Sequence, residues 1–178
     1  MKIPTKEIAV IALFTAVMVI FSQIAVPIPI SPVPITLSIF AVFLISTLLG
    51  HKSATVVQVV YLLLGIIGAP VFNGFTGGIG KVFGPTGGYI MSYIPMSYVM
   101  GLLVFKYSMT KYFQMVFAML IGLVICYSLG TAWLMASTGM NFTKAVYAAV
   151  LPFAPLDIIK IFAAAGLSHS IRKRLVIA

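Results

Sequence analysis

Six runs of mostly apolar residues, each close to the length of a membrane-spanning helix, dominate this chain. They lie near residues 6–26, 34–50, 53–69, 86–106, 112–136 and 146–169. A helix needs about 20 apolar residues to cross the hydrocarbon core of a bilayer. Across the chain 62% of the residues are hydrophobic and 7% are charged, whereas soluble domains carry about 25% charged residues. The sequence therefore predicts an all-α integral membrane bundle of six transmembrane helices, forming one domain over residues 1–178.

Two connecting segments contain too much proline or glycine to be helical. The first, PIPISPVPIT, has prolines at 27, 29, 32 and 34, and this alternation favours extended backbone. The second, APVFNGFTGGIGKVFGPTGG, predicts an irregular loop. Lipid offers no hydrogen-bond partners to irregular backbone, so both segments must lie at a membrane surface or line a protein-walled cavity. Two such segments at one end of a bundle predict a lid.

The distribution of Lys and Arg predicts the orientation in the membrane. With the N-terminus inside, two basic residues, Lys81 and Lys144, fall on the outer side, and Lys160 lies within the membrane. The inner side holds Lys2, Lys6, Lys52, Lys106, Lys111, Arg172, Lys173 and Arg174. Both termini are therefore predicted to be cytoplasmic, with the proline and glycine segments outside. The net charge of +9 is explained by this bias and does not indicate nucleic-acid binding, because most basic residues stand singly between apolar runs and no basic face is interleaved with aromatic residues.

One of the two acidic residues, Asp157, lies inside the last apolar run. Lys160 follows three positions later, so both side chains share one face of a helix. A charge at mid-bilayer costs about 2.5–3.5 kcal/mol on insertion scales, so this face should point into the bundle. Three roles fit the pair: an ion pair that fixes helix packing, a ligand site, or a proton or ion pathway. Intramembrane ionisable residues are usually functional, so we favour a ligand site in which Asp157 accepts from N–H groups and Lys160 donates to an oxygen.

The glycine segment and two of the runs contribute further candidates. Asn73 and Lys81 are the polar contacts that a glycine-rich cap would offer to a ligand beneath it. Tyr89, toward the outer half of the fourth run, fits an aromatic wall for a flat ring or an interfacial belt. Ala12 and Ala16, four residues apart, let a neighbouring helix approach closely, which by itself predicts a contact within the bundle.

Motifs for catalysis and nucleotide binding do not fit this sequence. The stretch GGIGK is similar to a phosphate-binding loop, but Phe75 stands at the first glycine position and Val82 at the Ser/Thr position. The sequence contains no HExxH or GxSxG motif and no paired carboxylates. Cys126 is the single cysteine, which excludes a disulfide framework. These observations predict a protein that is not an enzyme and that needs no cofactor.

An ordered set of motifs resembles the BioY family, the biotin-binding S components of energy-coupling factor (ECF) transporters. The set comprises PVPITL after the proline alternation, GIIGAPVFNGFTGG at 65–78, GPTGGY at 84–89, and Pro155, Asp157 and Lys160 together. Each motif is weak alone, but their order along nearly the whole chain is specific.

The resemblance implies a six-helix vitamin receptor that captures biotin on the outer side of the bilayer. It implies partnership with a transmembrane coupling subunit, which Ala12 and Ala16 would contact, and with two cytosolic ATPases. Asp157 and Lys160 would hold the polar groups of the vitamin, with Asn73 from the loop, and Lys81 is a candidate partner for its carboxylate. The alternatives are an S component for another vitamin, such as thiamin or riboflavin, and the ion or proton pathway.

Overall fold

The computed structural model describes residues 4–29 and 31–177, and most of this part is helical. The helices are α1 (Thr5–Gln23), α2 (Ser38–Ile66), α3 (Ile79–Phe83), α4 (Gly87–Phe105), α5 (Tyr112–Thr138), α6 (Phe142–Ala149) and α7 (Ala154–Ile177). Two short strands pair antiparallel, with β1 (Ala25–Val26) just before the proline segment and β2 (Ile35–Thr36) at its end. The all-helical prediction is confirmed. Lys2, one of the predicted inner charges, lies outside the described residues.

Four helices, α1, α2, α4 and α5, are long and apolar enough to cross a membrane, and α6 with α7 forms a fifth candidate as a bent pair. The chain is thus a multi-pass membrane protein. The run at 146–169, predicted as one span, is broken by a bend of 50° between α6 and α7. Pro152 lies at this bend, and its ring and missing N–H prevent the helix from continuing. The glycine segment, predicted to be irregular throughout, contains the short helix α3.

Helix α2 contains both the second and the third predicted spans and folds back on itself at Gly50. The backbone there has φ 79° and ψ 175°, a conformation that L side chains rarely adopt. Ser38 and Tyr61 line the same cavity, although a straight helix would separate them by about 35 Å. The ring of Phe105 packs against Gly50, 3.2 Å from where a Cβ would lie. Glycine is therefore required at the reversal for its conformation and for its lack of a side chain.

Polar contacts place each half of α2 against a different helix. The second half lies beside α1, because Ser53 donates to Glu7 (Oγ to Oε1, 2.9 Å). The first half lies beside α7, where the hydroxyls of Thr47 and Ser168 are 2.7 Å apart and Arg172 donates to the Thr47 carbonyl at 2.8 Å. These contacts lie at the end of the bundle that holds the Gly50 reversal, which we call the base end. The end that holds the proline and glycine segments is called the cover end.

The core lies where the helices meet, and side chains from five of them are fully buried. They are Met18 of α1, Phe43 of α2, Met96 of α4, Met119 of α5 and Ile161 of α7. Several buried hydroxyls on the helices bond back to carbonyls of the preceding turn, as Thr15 does to Ile11 at 2.8 Å. Such bonds satisfy polar groups in a region where water is absent. The core therefore joins these five helices into one packed unit.

Glycine at position 65 is required by the ring of Phe72, and this gives a first prediction. A Cβ at Gly65 would lie 1.9 Å from the Phe72 ring, which itself packs edge-on against Tyr61 with ring centroids 5.4 Å apart. We expect Gly65→Ala to lower the free energy of unfolding by about 1–3 kcal/mol through overpacking. The measurement is thermal unfolding of the purified protein in detergent.

The matched control is Gly80→Ala, because no atom lies within 4 Å of its added Cβ. Gly80 lies inside α3, where alanine is the better helix former. We expect its melting temperature to be unchanged or slightly raised. Equal melting temperatures for the two variants would contradict the packing role assigned to Gly65.

Candidate ligand-binding site

The charged pair of α7 points into the bundle, as the cost of a charge in lipid predicts. The side chain of Asp157 is 1% exposed and that of Lys160 is 12% exposed, with Oδ1 and Nζ 2.8 Å apart. Lys160 Nζ also donates to the carbonyl oxygen of Thr36 in β2 at 2.8 Å. The ammonium group thus joins the buried carboxylate to the segment that covers it. The pair is therefore part of a polar junction between α7 and the cover.

Tyr127 of α5 is a third member of this junction, and the sequence analysis did not identify it. Its hydroxyl donates to Asp157 Oδ2 at 2.7 Å, so each carboxylate oxygen has one partner. A tyrosine hydroxyl in an apolar helix usually finds a partner when it is buried. That rule marks Tyr127 as a residue in need of an acceptor, but it does not say which helix supplies one.

Three more tyrosines form the wall of the site beside Asp157. Tyr61, Tyr89 and Tyr93 are all nearly fully buried, and Tyr89 and Tyr93 line the cleft that contains Asp157 and Lys160. The Tyr89 hydroxyl lies 3.2 Å from the Thr131 hydroxyl on α5, which fixes the ring across the gap between α4 and α5. Tyr89 therefore lines the cleft in this structure.

The proline segment lies directly over the cleft. Val33, Pro34 and Thr36 line it from above, and the β1–β2 pairing holds this part of the chain extended. The predicted cover is therefore present as a two-stranded flap whose second strand is bonded to Lys160.

The glycine segment is held by the end of α1. Ser22 and Gln23 both donate to the carbonyl oxygen of Val71, at 2.6 and 3.1 Å, and Gln23 Oε1 accepts from the N–H of Phe75 at 2.8 Å. Asn73 lines a second cavity that shares Val33, Pro34, Thr36, Tyr89 and Tyr93 with the cleft. The structure thus brings Asn73 to the same site as the charged pair.

Lys81 and the two alanines of α1 lie elsewhere. Lys81 lies on α3, partly exposed, and is not among the residues that line the cleft or the Asn73 cavity. Ala12 and Ala16 are exposed, whereas Ile11, Thr15 and Met18 on the other face of α1 are buried. The contact within the bundle that the spacing alone predicted for Ala12 and Ala16 is therefore wrong. Their face is available to a neighbour outside this chain.

The cleft and the Asn73 cavity are small in this structure. Their volumes are about 30 Å³ and about 40 Å³, close to the volume that one water molecule takes up in the liquid. Sites for small organic ligands usually measure about 300–1,000 Å³. The polar junction is thus built and closed, and an organic ligand would have to displace the flap or a side chain of the wall.

Comparison with known proteins identifies the family. Residues 1–176 match the BioY family. The chain belongs to the BioY family. Among curated relatives, the probable biotin transporter BioY of Pyrococcus horikoshii is 39% identical, over 87% of this chain and 89% of its own length. The biotin transporter BioY of Thermotoga maritima is 35% identical, over 94% and 96% of the two chains.

A solved structure has the same fold as this BioY-family chain. The S-component for biotin from an ECF-type ABC transporter, a crystal structure at 2.1 Å, superposes with a TM-score of 0.90. The two chains are 26% identical, and the match covers 97% of this chain and 95% of the other. The resemblance stated from the sequence motifs is therefore confirmed. The prediction that the chain is not an enzyme is also confirmed, because the family consists of transport proteins.

Proposed function

We propose that this chain is the biotin-binding S component of an ECF-type vitamin transporter, formed by a single domain over residues 1–178. The observation that carries the proposal is the buried Asp157–Lys160 pair at 2.8 Å under a flap that is bonded to it. Family membership and the likeness to a biotin S-component support it. No cofactor is needed, since biotin is the cargo and ATP would be used by other subunits.

The chemistry of biotin matches the groups at the cover end. Its ureido ring offers two N–H donors and one carbonyl acceptor. Asp157 would accept from an N–H, and a hydrogen bond to a charged group contributes about 1.5–3 kcal/mol. Lys160 would keep the carboxylate balanced and donate to a ligand oxygen, while Tyr89 would pack against the ring system. Asn73 would contact the ligand from the glycine segment.

The carboxylate of biotin needs a separate partner. Lys81 is our candidate, because it is a basic residue of the glycine segment, on the helix α3. Since Lys81 does not line the cleft in the closed arrangement, this contact would form when the flap and the glycine segment rearrange around the ligand.

Six membrane crossings follow if each half of α2 crosses once. The fold-back at Gly50 and the bent pair α6–α7 support this count, with α1, α4 and α5 as the other three. The Lys and Arg bias then puts both termini in the cytoplasm and the flap on the outer side. Biotin would be captured from outside the cell.

The partners would be a transmembrane coupling subunit and two cytosolic ATPases. The exposed Ala12 and Ala16 on α1 present a surface on which another helix can pack backbone to backbone. The coupling subunit would bind there and drive release of the vitamin to the inside.

Calorimetric titration of the purified chain with biotin tests the proposed function. We expect saturable binding at one site per chain, and no heat with thiamin or riboflavin. Binding of one of those vitamins instead would assign the chain to another substrate. Absence of binding to all three, together with pH-driven ion flux in vesicles, would favour the ion pathway.

A further inference from the structure

A groove between α5 and α6 adjoins the site and is much larger than the cleft. Its volume is about 350 Å³, against about 30 Å³ for the cleft around Asp157 and Lys160. The groove reaches the range of about 300–1,000 Å³ usual for small organic ligands, and the cleft does not. Met135 on α5 and Val146 on α6 line opposite sides of it. The larger space beside the polar junction is therefore this groove between α5 and α6.

Tyr127 separates the groove from the cleft, because its side chain lines both. Its hydroxyl is bonded to Asp157 Oδ2 at 2.7 Å, so the partition is held in place by the carboxylate proposed to bind ligand. A ligand N–H that takes over this oxygen would release the tyrosine hydroxyl. On the α6 side, Ala149 lines the cleft and the next residue, Val150, lines the groove, so the two spaces adjoin there as well.

The lining of the groove defines what it can hold. None of its eight residues is charged, and its polar groups are the hydroxyls of Tyr127, Ser128 and Thr131. Phe142 at its edge is 67% exposed, so the groove opens at the protein surface. A free carboxylate would lose its hydration here without gaining a partner. An uncharged, apolar chain would fit.

We infer that the substrate range of the site extends to biotin amides with an apolar chain, whose tails lie in the α5–α6 groove. This inference rests on the proposed function, because the ureido head must occupy the Asp157–Lys160 cleft. Tyr127 is the residue that the groove and the cleft share. Once a ureido N–H has displaced its hydroxyl from Asp157, movement of this side chain would join the two spaces, so that one ligand could occupy both. Amidation removes the charge that the groove could not hold.

The test compares two probes, biotin and biotin N-hexylamide, by titration of the protein in lipid nanodiscs. For the unchanged chain we expect the dissociation constant of the amide to lie within about tenfold of that of biotin. Val146→Trp fills the groove from α6 and should raise the dissociation constant of the amide, divided by that of biotin, by at least tenfold. Ala132→Phe fills it from α5 and should raise the ratio as well.

Val56→Trp is the matched control, because Val56 is 40% exposed on α2 and lies outside the groove. It should leave both constants unchanged. An amide that fails to bind the unchanged chain while biotin binds would overturn the inference and leave the proposed function intact. The inference would also be overturned if both groove-filling variants had the same ratio of amide to biotin dissociation constants as the unchanged chain. Absence of biotin binding to the unchanged chain would refute the proposed function and this inference with it.

Discussion

Asp157→Asn is expected to weaken biotin binding by at least about tenfold. The substitution keeps the size of the side chain but removes the charge that strengthens its hydrogen bonds, and such bonds contribute about 1.5–3 kcal/mol. It also leaves the ammonium of Lys160, 12% exposed, without its anionic partner. Breaking a buried pair by removing one member is costly. Equilibrium titration with biotin measures the loss.

Glu7→Gln provides the matched control, since Glu7 is the other acidic residue of the chain. Its carboxylate accepts from Ser53 at the base end, on the far side of the core from the cleft. The change in charge is the same, but biotin affinity should stay the same. An Asp157→Asn protein that melts as the unchanged chain does and binds biotin equally well would remove Asp157 from the site.

Replacing Ala12 and Ala16 together by leucine is expected to abolish co-purification with a coupling subunit. Both alanines are exposed on α1, away from the face that packs on the bundle. Small side chains permit close approach of two helices in a membrane, and two leucines would hold the helices apart. Biotin binding by the isolated chain should not change, because neither residue lines the cleft.

Ala163→Leu tests whether any bulky substitution on the lipid-facing surface disrupts the complex. Ala163 is exposed on α7, so the variant adds the same volume on another helix. We expect it to co-purify normally. A complex that survives in the Ala12 and Ala16 variant would place the contact on a different surface.

The sequence predicted those features of the site that the cost of lipid exposure decides. Asp157 and Lys160 had to face inward because charges in hydrocarbon are expensive. The proline and glycine segments had to lie at a membrane surface or line a cavity because irregular backbone cannot face lipid. Both expectations depend only on the cost of placing a charge or an unpaired backbone group in lipid, and both agree with the structure.

Other features depend on which helices become neighbours, and the sequence does not encode this in a local pattern. The Tyr127–Asp157 bond joins residues 30 positions apart, and helical periodicity cannot select that pairing. Pro152 gave a local signal for the break between α6 and α7, but the apolar run continues across it and was interpreted as one span. Ala12 and Ala16 gave a clear local signal, but two small residues four positions apart do not show whether the neighbouring helix belongs to this chain or to a partner.

The contacts of α2 have a consequence for how the protein is made. Its first half is joined to α7 by the Thr47–Ser168 and Arg172–Thr47 hydrogen bonds, and the flap just before it is joined to Lys160. During synthesis, α2 enters the membrane long before the ribosome reaches α7. The N-terminal helices therefore remain incompletely packed until the last segment has been translated and inserted. A ribosome stalled before that point would carry a nascent chain with no closed vitamin site.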